Sequence, residues 1–269
     1  MVDDKTVVGR ATAILDVVVG ARAPLMLAEL TRRTGIPKPT VRRIAASLAE
    51  RGLLDCTARG YVPGERLRRY GMLAASRSPA TLIVQPYVQD LYQYVRGEVA
   101  WFASAGDGEL TAVSTAFGKA HVETMRTSPW PPGDLLGPSV VLLASGRLEV
   151  AHQPERAERI LASGWGRMTR YSVTDPGRMR NLLAAARDTR FAQEDEQCRL
   201  GWSCMASLLL AADGTMIGAL GVTGRTAAIN SRGLRGVLVR SADVLEGELR
   251  SCSVPHASTA ARGPIRVTE

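Results

Sequence analysis

The chain has 269 residues, room for about two domains of ordinary size, and its 45% apolar and 22% charged residues exclude a collagen, a fibrous repeat or a disordered tail. No apolar run approaches the ~18 residues a membrane helix needs, and Met1-Val-Asp-Asp-Lys5 leads into no apolar signal segment, so a cytoplasmic protein with no membrane partner is expected. The net charge of +8 is uneven: residues 1–78 carry 14 Lys and Arg against seven Asp and Glu, an asymmetry suited to a nucleic-acid-binding domain joined to a near-neutral partner.

Apolar residues at Ile14, Leu15, Val18 and Val19 predict a first helix over 8–19, ended by Gly20. A second, over 27–34, turns Leu27 and Leu30 inward and stops at Gly35. A third, over 39–51, has Val41, Ile44, Ala45 and Leu48 at i, i+3, i+4 and i+7, which leaves Lys38, Thr40, Arg42 and Arg43 on the opposite surface. Pro39 suits the first helical position, and Lys38 before it is a poor cap, so open N–H groups beside a cation would suit a phosphate. Two short extended pieces, 53–54 and 60–62, flank a turn over 55–59 that puts Arg59 at a hairpin tip. Three helices and a hairpin predict a winged helix-turn-helix, with Lys38, Thr40, Arg42, Arg43 and Arg59 as the DNA-binding set. Helical spacing at Leu67, Tyr70 and Leu73 predicts a connecting helix, packed either on its own domain or on the same helix of a second subunit.

The second half predicts a helix over 80–96 with Leu82, Val84, Val88, Leu91 and Val95 inward, strands over 99–104 and 110–115 joined at Gly106-Asp-Gly108, and an extended piece over 121–125. Helices are expected after Gly137-Pro138, over 154–163, and over 176–190 with Thr174 as cap. A second hairpin, 203–210 and 216–223, turns at Ala212-Asp-Gly214, and a closing helix spans 231–250. This order reads as α+β, an antiparallel sheet flanked by helices; residues from Cys252 on are polar and expected to be disordered.

The segments Leu27-Ala-Glu-Leu-Thr-Arg-Arg-Thr-Gly-Ile-Pro-Lys-Pro-Thr-Val-Arg-Arg-Ile44, Gly60-Tyr-Val-Pro-Gly-Glu-Arg-Leu67, Phe191-Ala-Gln-Glu-Asp-Glu196, Gly201-Trp-Ser-Cys-Met-Ala206 and Ala212-Asp-Gly-Thr-Met-Ile-Gly-Ala-Leu-Gly-Val-Thr-Gly224 resemble the IclR family of bacterial transcriptional regulators. The resemblance runs from about residue 8 to 250. It implies a DNA-binding domain over 1–63, a linker helix over 64–78, a GAF-like effector-binding domain over 79–251 and a tail over 252–269. It further implies a homodimer or dimer of dimers on a pseudo-palindromic double-stranded operator, and a small-molecule effector lined by Leu136, Gly137, Pro138, Glu194, Cys204, Gly221 and Thr223. The chain departs from the family pattern at Gln197, where glutamate is typical, at Pro138, where Lys or Arg is common, and at Gly221, where a small hydroxyl residue is common. From the residues alone, small side chains at Ala206, Ser207, Gly218, Gly221 and Thr223 leave room over a sheet, with Trp130, Leu135 and Leu136 as an apolar wall.

Two other functions compete. The histidines His121, His152 and His256 lie far apart, the four cysteines have no CxxC or CxxH spacing, and no phosphate-binding glycine motif occurs, so neither a metal, a cofactor nor an enzyme is expected. Cys204, in an apolar strand, reads as an inert small hydrophobe rather than a nucleophile, and the run Glu194-Asp-Glu196 as a surface turn with one acid aimed inward rather than a catalytic pair. The remaining alternative is an effector-independent regulator, acting through partner proteins or through oxidation of Cys198 or Cys204.

Overall fold

The computed structural model describes residues 6–21, 23–106, 109–127, 133–230 and 233–252, with the backbone alone at 126, 127 and 133–136. The chain divides into two compact units, Met1–Ser78 and Pro79–Glu269.

In the first unit, α1 (Val7–Val19) begins at Thr6, whose Oγ1 accepts from the Gly9 amide at 3.0 Å. Helix α2 (Leu27–Thr34) ends at Gly35, whose φ of 68° carries the chain out of the helix. Helix α3 (Lys38–Glu50) starts one residue earlier than the sequence predicts, with Pro37 at the cap position and Pro39 inside the first turn. The Thr40 and Val41 amides both donate to the Pro37 carbonyl, and Pro39 has no N–H, so the expected row of open amides shrinks to that of Lys38. Strands β1 (Leu54–Thr57) and β2 (Gly60–Pro63) pair antiparallel, with Thr57 opposite Gly60. The turn is therefore Ala58-Arg59 alone, because residues 55–57 join the strand rather than the loop. Leu25 bonds to Tyr61 in both directions, at 3.0 and 2.9 Å, which ties the hairpin to the segment before α2. Ile14, Val18, Leu30, Val41, Ile44, Leu48 and Leu54 form the core. Helix α4 (Glu65–Ser76) buries no residue, and Tyr70, Met72 and Leu73 are exposed.

The second unit opens with α5 (Pro79–Tyr94), then β3 (Val99–Gly106) and β4 (Glu109–Ala116). Val84, Val88 and Leu91 are buried as expected, but Leu82 is 65% exposed: its position on α5 points away from the sheet. The expected extended piece at 121–125 is helical instead, a 3-10 turn over Lys119–His121 continuing into α6 (Val122–Thr127). Residues Gly133–Leu142 form 3-10 turns broken at Gly137 (φ 48°, ψ −130°), and the α-helix expected after Gly137-Pro138 begins only at α7 (Ala144–Ala151). Then come α8 (Pro154–Ser163) and α9 (Pro176–Thr189), the latter capped by Asp175, which accepts from the Arg178 amide at 2.6 Å, rather than by Thr174. A strand the sequence did not mark, β5 (Phe191–Asp195), carries most of the acidic run expected as a turn. The hairpin β6 (Trp202–Leu210) and β7 (Met216–Arg225), the short α10 (Thr226–Ile229) and α11 (Leu234–Cys252) complete the unit. The expected tail lies outside the described residues beyond Cys252.

The sheet order is β4-β3-β7-β6-β5, with every neighbouring pair antiparallel. Alternation along the strands sorts side chains to two faces. Ala100, Phe102, Met205, Leu209, Leu220 and Val222 meet α5 and α11 on one, while Trp101, Ala103, Cys204, Ala206, Leu208 and Ala219 meet α7, α8 and α9 on the other. Every residue of α7 is buried, because it packs against the sheet on one side and α8 and α9 on the other. Gly146 makes this approach feasible: a Cβ there would stand 2.1 Å from the Val140 carbonyl oxygen.

Candidate nucleic-acid interface and ligand site

On α3 the buried stripe Val41, Ile44, Ala45 and Leu48 turns Arg42 and Arg43 to solvent; Lys38 and, at the hairpin tip, Arg59 are exposed too, and Thr40 is half-buried. Among the described residues, the charged groups of these four cations have no hydrogen-bond or ion-pair partner. Five other arginines of the unit are committed. Arg32 and Arg33 both bind Glu29, at 2.6 and 2.5 Å, and those bonds hold the Glu29 carboxyl below its usual range. Arg51 donates to Ser47, Arg66 to the Arg51 carbonyl, and Arg68 to Glu65 and the Pro63 carbonyl. The protein thus neutralises or anchors arginines around α3 while leaving those on its outer face unmatched, which is the electrostatic condition for binding phosphates and base edges.

In the second unit, the sheet register brings four of the sequence-expected residues together. Glu194 lies opposite Cys204, Cys204 opposite Thr223, and Gly221 sits two residues along the same strand face. Glu194, Cys204 and Thr223 are all buried. The Thr223 hydroxyl donates to Cys204 Sγ at 3.2 Å, and the Ala144 amide, the first of α7, also reaches that sulfur. Burial pushes the Cys204 thiol far above its usual range, with the neighbouring Glu194 charge adding to the effect, so a thiolate is disfavoured. Burial likewise raises the Glu194 carboxyl to about 7, opposed by a hydrogen bond from the Gln197 amide at 2.9 Å and by the charge of Arg147.

Gly137 and Pro138 are not part of this group. Both are exposed, and the helix whose start faces Cys204 is α7, entered through Leu143 and Ala144. The side chains of Leu135 and Leu136, and Trp130 altogether, lie outside the described residues.

Two residues that the sequence reading passed over complete the site. Arg147 on α7 is 2% exposed, and its guanidinium donates to the carbonyls of Val141 (2.9 Å) and Gln193 (2.7 Å) and to Gln197 Oε1 (2.6 Å). Burial lowers it to about 10, still charged at neutral pH, and it is linked through Gln197 to Glu194. The signal for it was a lone arginine inside the apolar run 140–151. Trp101 on β3 is fully buried, lies opposite Gly221 and donates its indole N–H to Thr223 Oγ1 at 3.0 Å. A separate cavity of about 480 Å³ at the other end of the sheet is lined by Ala105, Gly106, His152, Arg187, Gly214, Thr215 and Met216, and shares none of these groups. Among the described residues no cluster of three or more His, Cys, Asp or Glu could hold a metal ion, and no helix is long and apolar enough to cross a membrane.

Comparison with known proteins matches residues 7–55 to the IclR helix-turn-helix domain and residues 139–243 to the bacterial transcriptional regulator IclR C-terminal domain. The chain is 28% identical over 223 residues to the HTH-type transcriptional regulator BhcR of Paracoccus denitrificans, covering 81% of this chain and 76% of that one. Among solved structures, an IclR-type protein of Silicibacter sp. TM1040 is similar in fold (TM-score 0.73, 22% identity, 91% of this chain and 96% of that one). So is an IclR homolog of Microbacterium hydrocarbonoxydans complexed with 4-hydroxybenzoate (TM-score 0.67, 23% identity, 91% and 100%). With both domain models in the family's order and the antiparallel sheet following the helix-turn-helix along the chain, the chain belongs to the IclR family of DNA-binding transcriptional regulators.

Proposed function

We propose that the protein acts in the cytoplasm as a homodimer or dimer of dimers on a pseudo-palindromic double-stranded operator, and that a small-molecule effector bound at the α7 start, beside Glu194 and Cys204, changes its operator affinity. The observation that carries the DNA reading is the set of cations Lys38, Arg42, Arg43 and Arg59, whose charged groups have no partner among the described residues, on the outer face of α3 and at the hairpin tip, while Arg32, Arg33, Arg51, Arg66 and Arg68 are paired or anchored. Arg42 and Arg43 are assigned to the major groove with Thr40 beside them, and Arg59 to the flanking backbone or minor groove.

The effector reading is supported by polar groups buried under the α7 start, where the positive end of the helix favours an oxygen of the ligand. Glu194, Cys204, Gly221 and Thr223 form its floor, and Ala144 takes the helix-start role that Leu136, Gly137 and Pro138 were expected to play. The complex of the Microbacterium homolog supports a small organic molecule as the class of ligand. Protonated Glu194 would donate to a ligand oxygen, ionised Glu194 would accept from a hydroxyl or amine.

Selection of genomic fragments by the purified protein, followed by sequencing, yields the operator, and the genes beside it direct the choice of metabolites for thermal-shift screening. A metabolite that stabilises the protein and changes operator affinity supports the reading; Cys204→Trp should abolish both effects while retaining basal DNA binding. A full response in that variant places the ligand elsewhere.

A further inference from the structure

Trp101 occupies space that the strands around it leave free. Gly221 is its register partner on β7, and a Cβ on residue 221 would stand 2.2 Å from Cζ2 of the indole and 2.6 Å from Cε2 and Cη2. The benzenoid ring therefore lies directly on the Gly221 backbone, where any other residue would project its side chain. Its N–H donates to Thr223, whose own hydrogen goes on to Cys204, so the indole satisfies the group that a ligand lying over β7 would engage. Ala206 and Ala219 are fully buried on the same face and are too small to fill that volume themselves.

We propose that Trp101 is an internal occupant of an aromatic-sized site on the sheet and the residue that sets which effectors the protein accepts. The second half of this statement rests on the effector reading above. With the indole in place, the ground left to a ligand is the polar floor of Glu194 and Cys204 beneath Ala144, which suits a compact, non-aromatic molecule bearing hydroxyl or carbonyl oxygens. With the indole removed, the vacated volume is planar, apolar and furnished with one hydrogen-bond acceptor at Thr223 Oγ1, and should take an aromatic molecule carrying an N–H donor.

The test uses the full chain, wild type and Trp101→Ala, with indole as the probe. Saturating indole should raise the melting temperature of the variant by about 3 °C or more and bind it at least about ten-fold more tightly than wild type. In Trp101→Ala with Gly221→Val, where the new side chain projects into the vacated volume, the indole response should shrink. If Trp101→Ala does not fold alone, Trp101→Val is compared in the same way, folded with and without indole. Equal shifts in wild type and variant, or none in either variant, overturn the proposal. Operator affinity of Trp101→Ala is measured with and without indole in parallel. A change supports both halves of the proposal, whereas stabilisation without a change leaves Trp101 as the occupant and overturns its role in choosing effectors.

Discussion

Buried polar residues set the chemistry of the second unit, and Glu194 makes it depend on pH. Because the folded protein holds the Glu194 proton up to about pH 7 while the unfolded chain releases it near 4.5, the folded state binds the extra proton across that window. Its contribution to stability is therefore greatest at low pH, falls as pH rises from about 4.5 to 7, and levels off above; the span is on the order of 3 kcal/mol. Urea denaturation of wild type and Glu194→Gln at pH 5 and pH 8 checks this. The wild type should lose more stability than the variant between the two, and parallel losses would contradict the assignment. Arg147 works in the opposite sense: its three hydrogen bonds hold a charge that burial alone would expel, so Arg147→Met should leave the Gln193 and Val141 carbonyls and Gln197 without a donor and destabilise the unit by about 3 kcal/mol or more.

At the scale of elements, close backbone approaches fix the pieces that carry function. Gly60 has φ of 127°, and a Cβ there would meet the Leu25 carbonyl oxygen at 2.5 Å, so the pairing of Tyr61 with Leu25 depends on this glycine. Gly60→Ala should cost roughly 1–3 kcal/mol of stability in the first unit and weaken DNA binding by displacing Arg59, measured by denaturation and by fluorescence anisotropy on operator DNA. Unchanged values in both would show that the hairpin tolerates the shift. The helices of the first unit were legible in the sequence because their apolar residues recur at helical spacing and glycines end α2 and follow α3. The arginines on α3 could be placed for the same reason, since a four-position stripe fixes the opposite face. Strand β5 was not legible: its five residues include three polar ones, and only pairing with β6 makes them extended. Nor were Trp101 over Gly221, Ala144 over Cys204 or the Arg147 bonds, because each joins residues far apart in sequence through a register or a docking angle that local periodicity does not encode. Gly137-Pro138 had the composition of a helix start, but the φ/ψ of Gly137 breaks the path there and the helix forms seven residues later.

For the whole molecule, the uneven charge and the two units describe a DNA-binding part followed by a near-neutral part, to which the proposed function assigns the effector. One winged helix contacts too few base pairs to select a site in a genome, and α4 exposes Tyr70, Met72 and Leu73 without burying any residue. Light scattering at micromolar concentration should therefore give a dimer or tetramer, and footprinting two half-sites one or more helical turns apart; a monomer protecting a single half-site would contradict this. The most direct test of the central claim, that α3 reads DNA through Arg42 and Arg43, is the operator affinity of Arg42→Ala with Arg43→Ala against wild type across a salt series. A base-contacting arginine should cost about 1–3 kcal/mol and relax sequence preference, and a phosphate-contacting one should reduce the salt slope by about one. The double variant should therefore bind at least ten-fold more weakly with its fold intact, and binding at wild-type affinity with an unaltered salt slope would contradict the account.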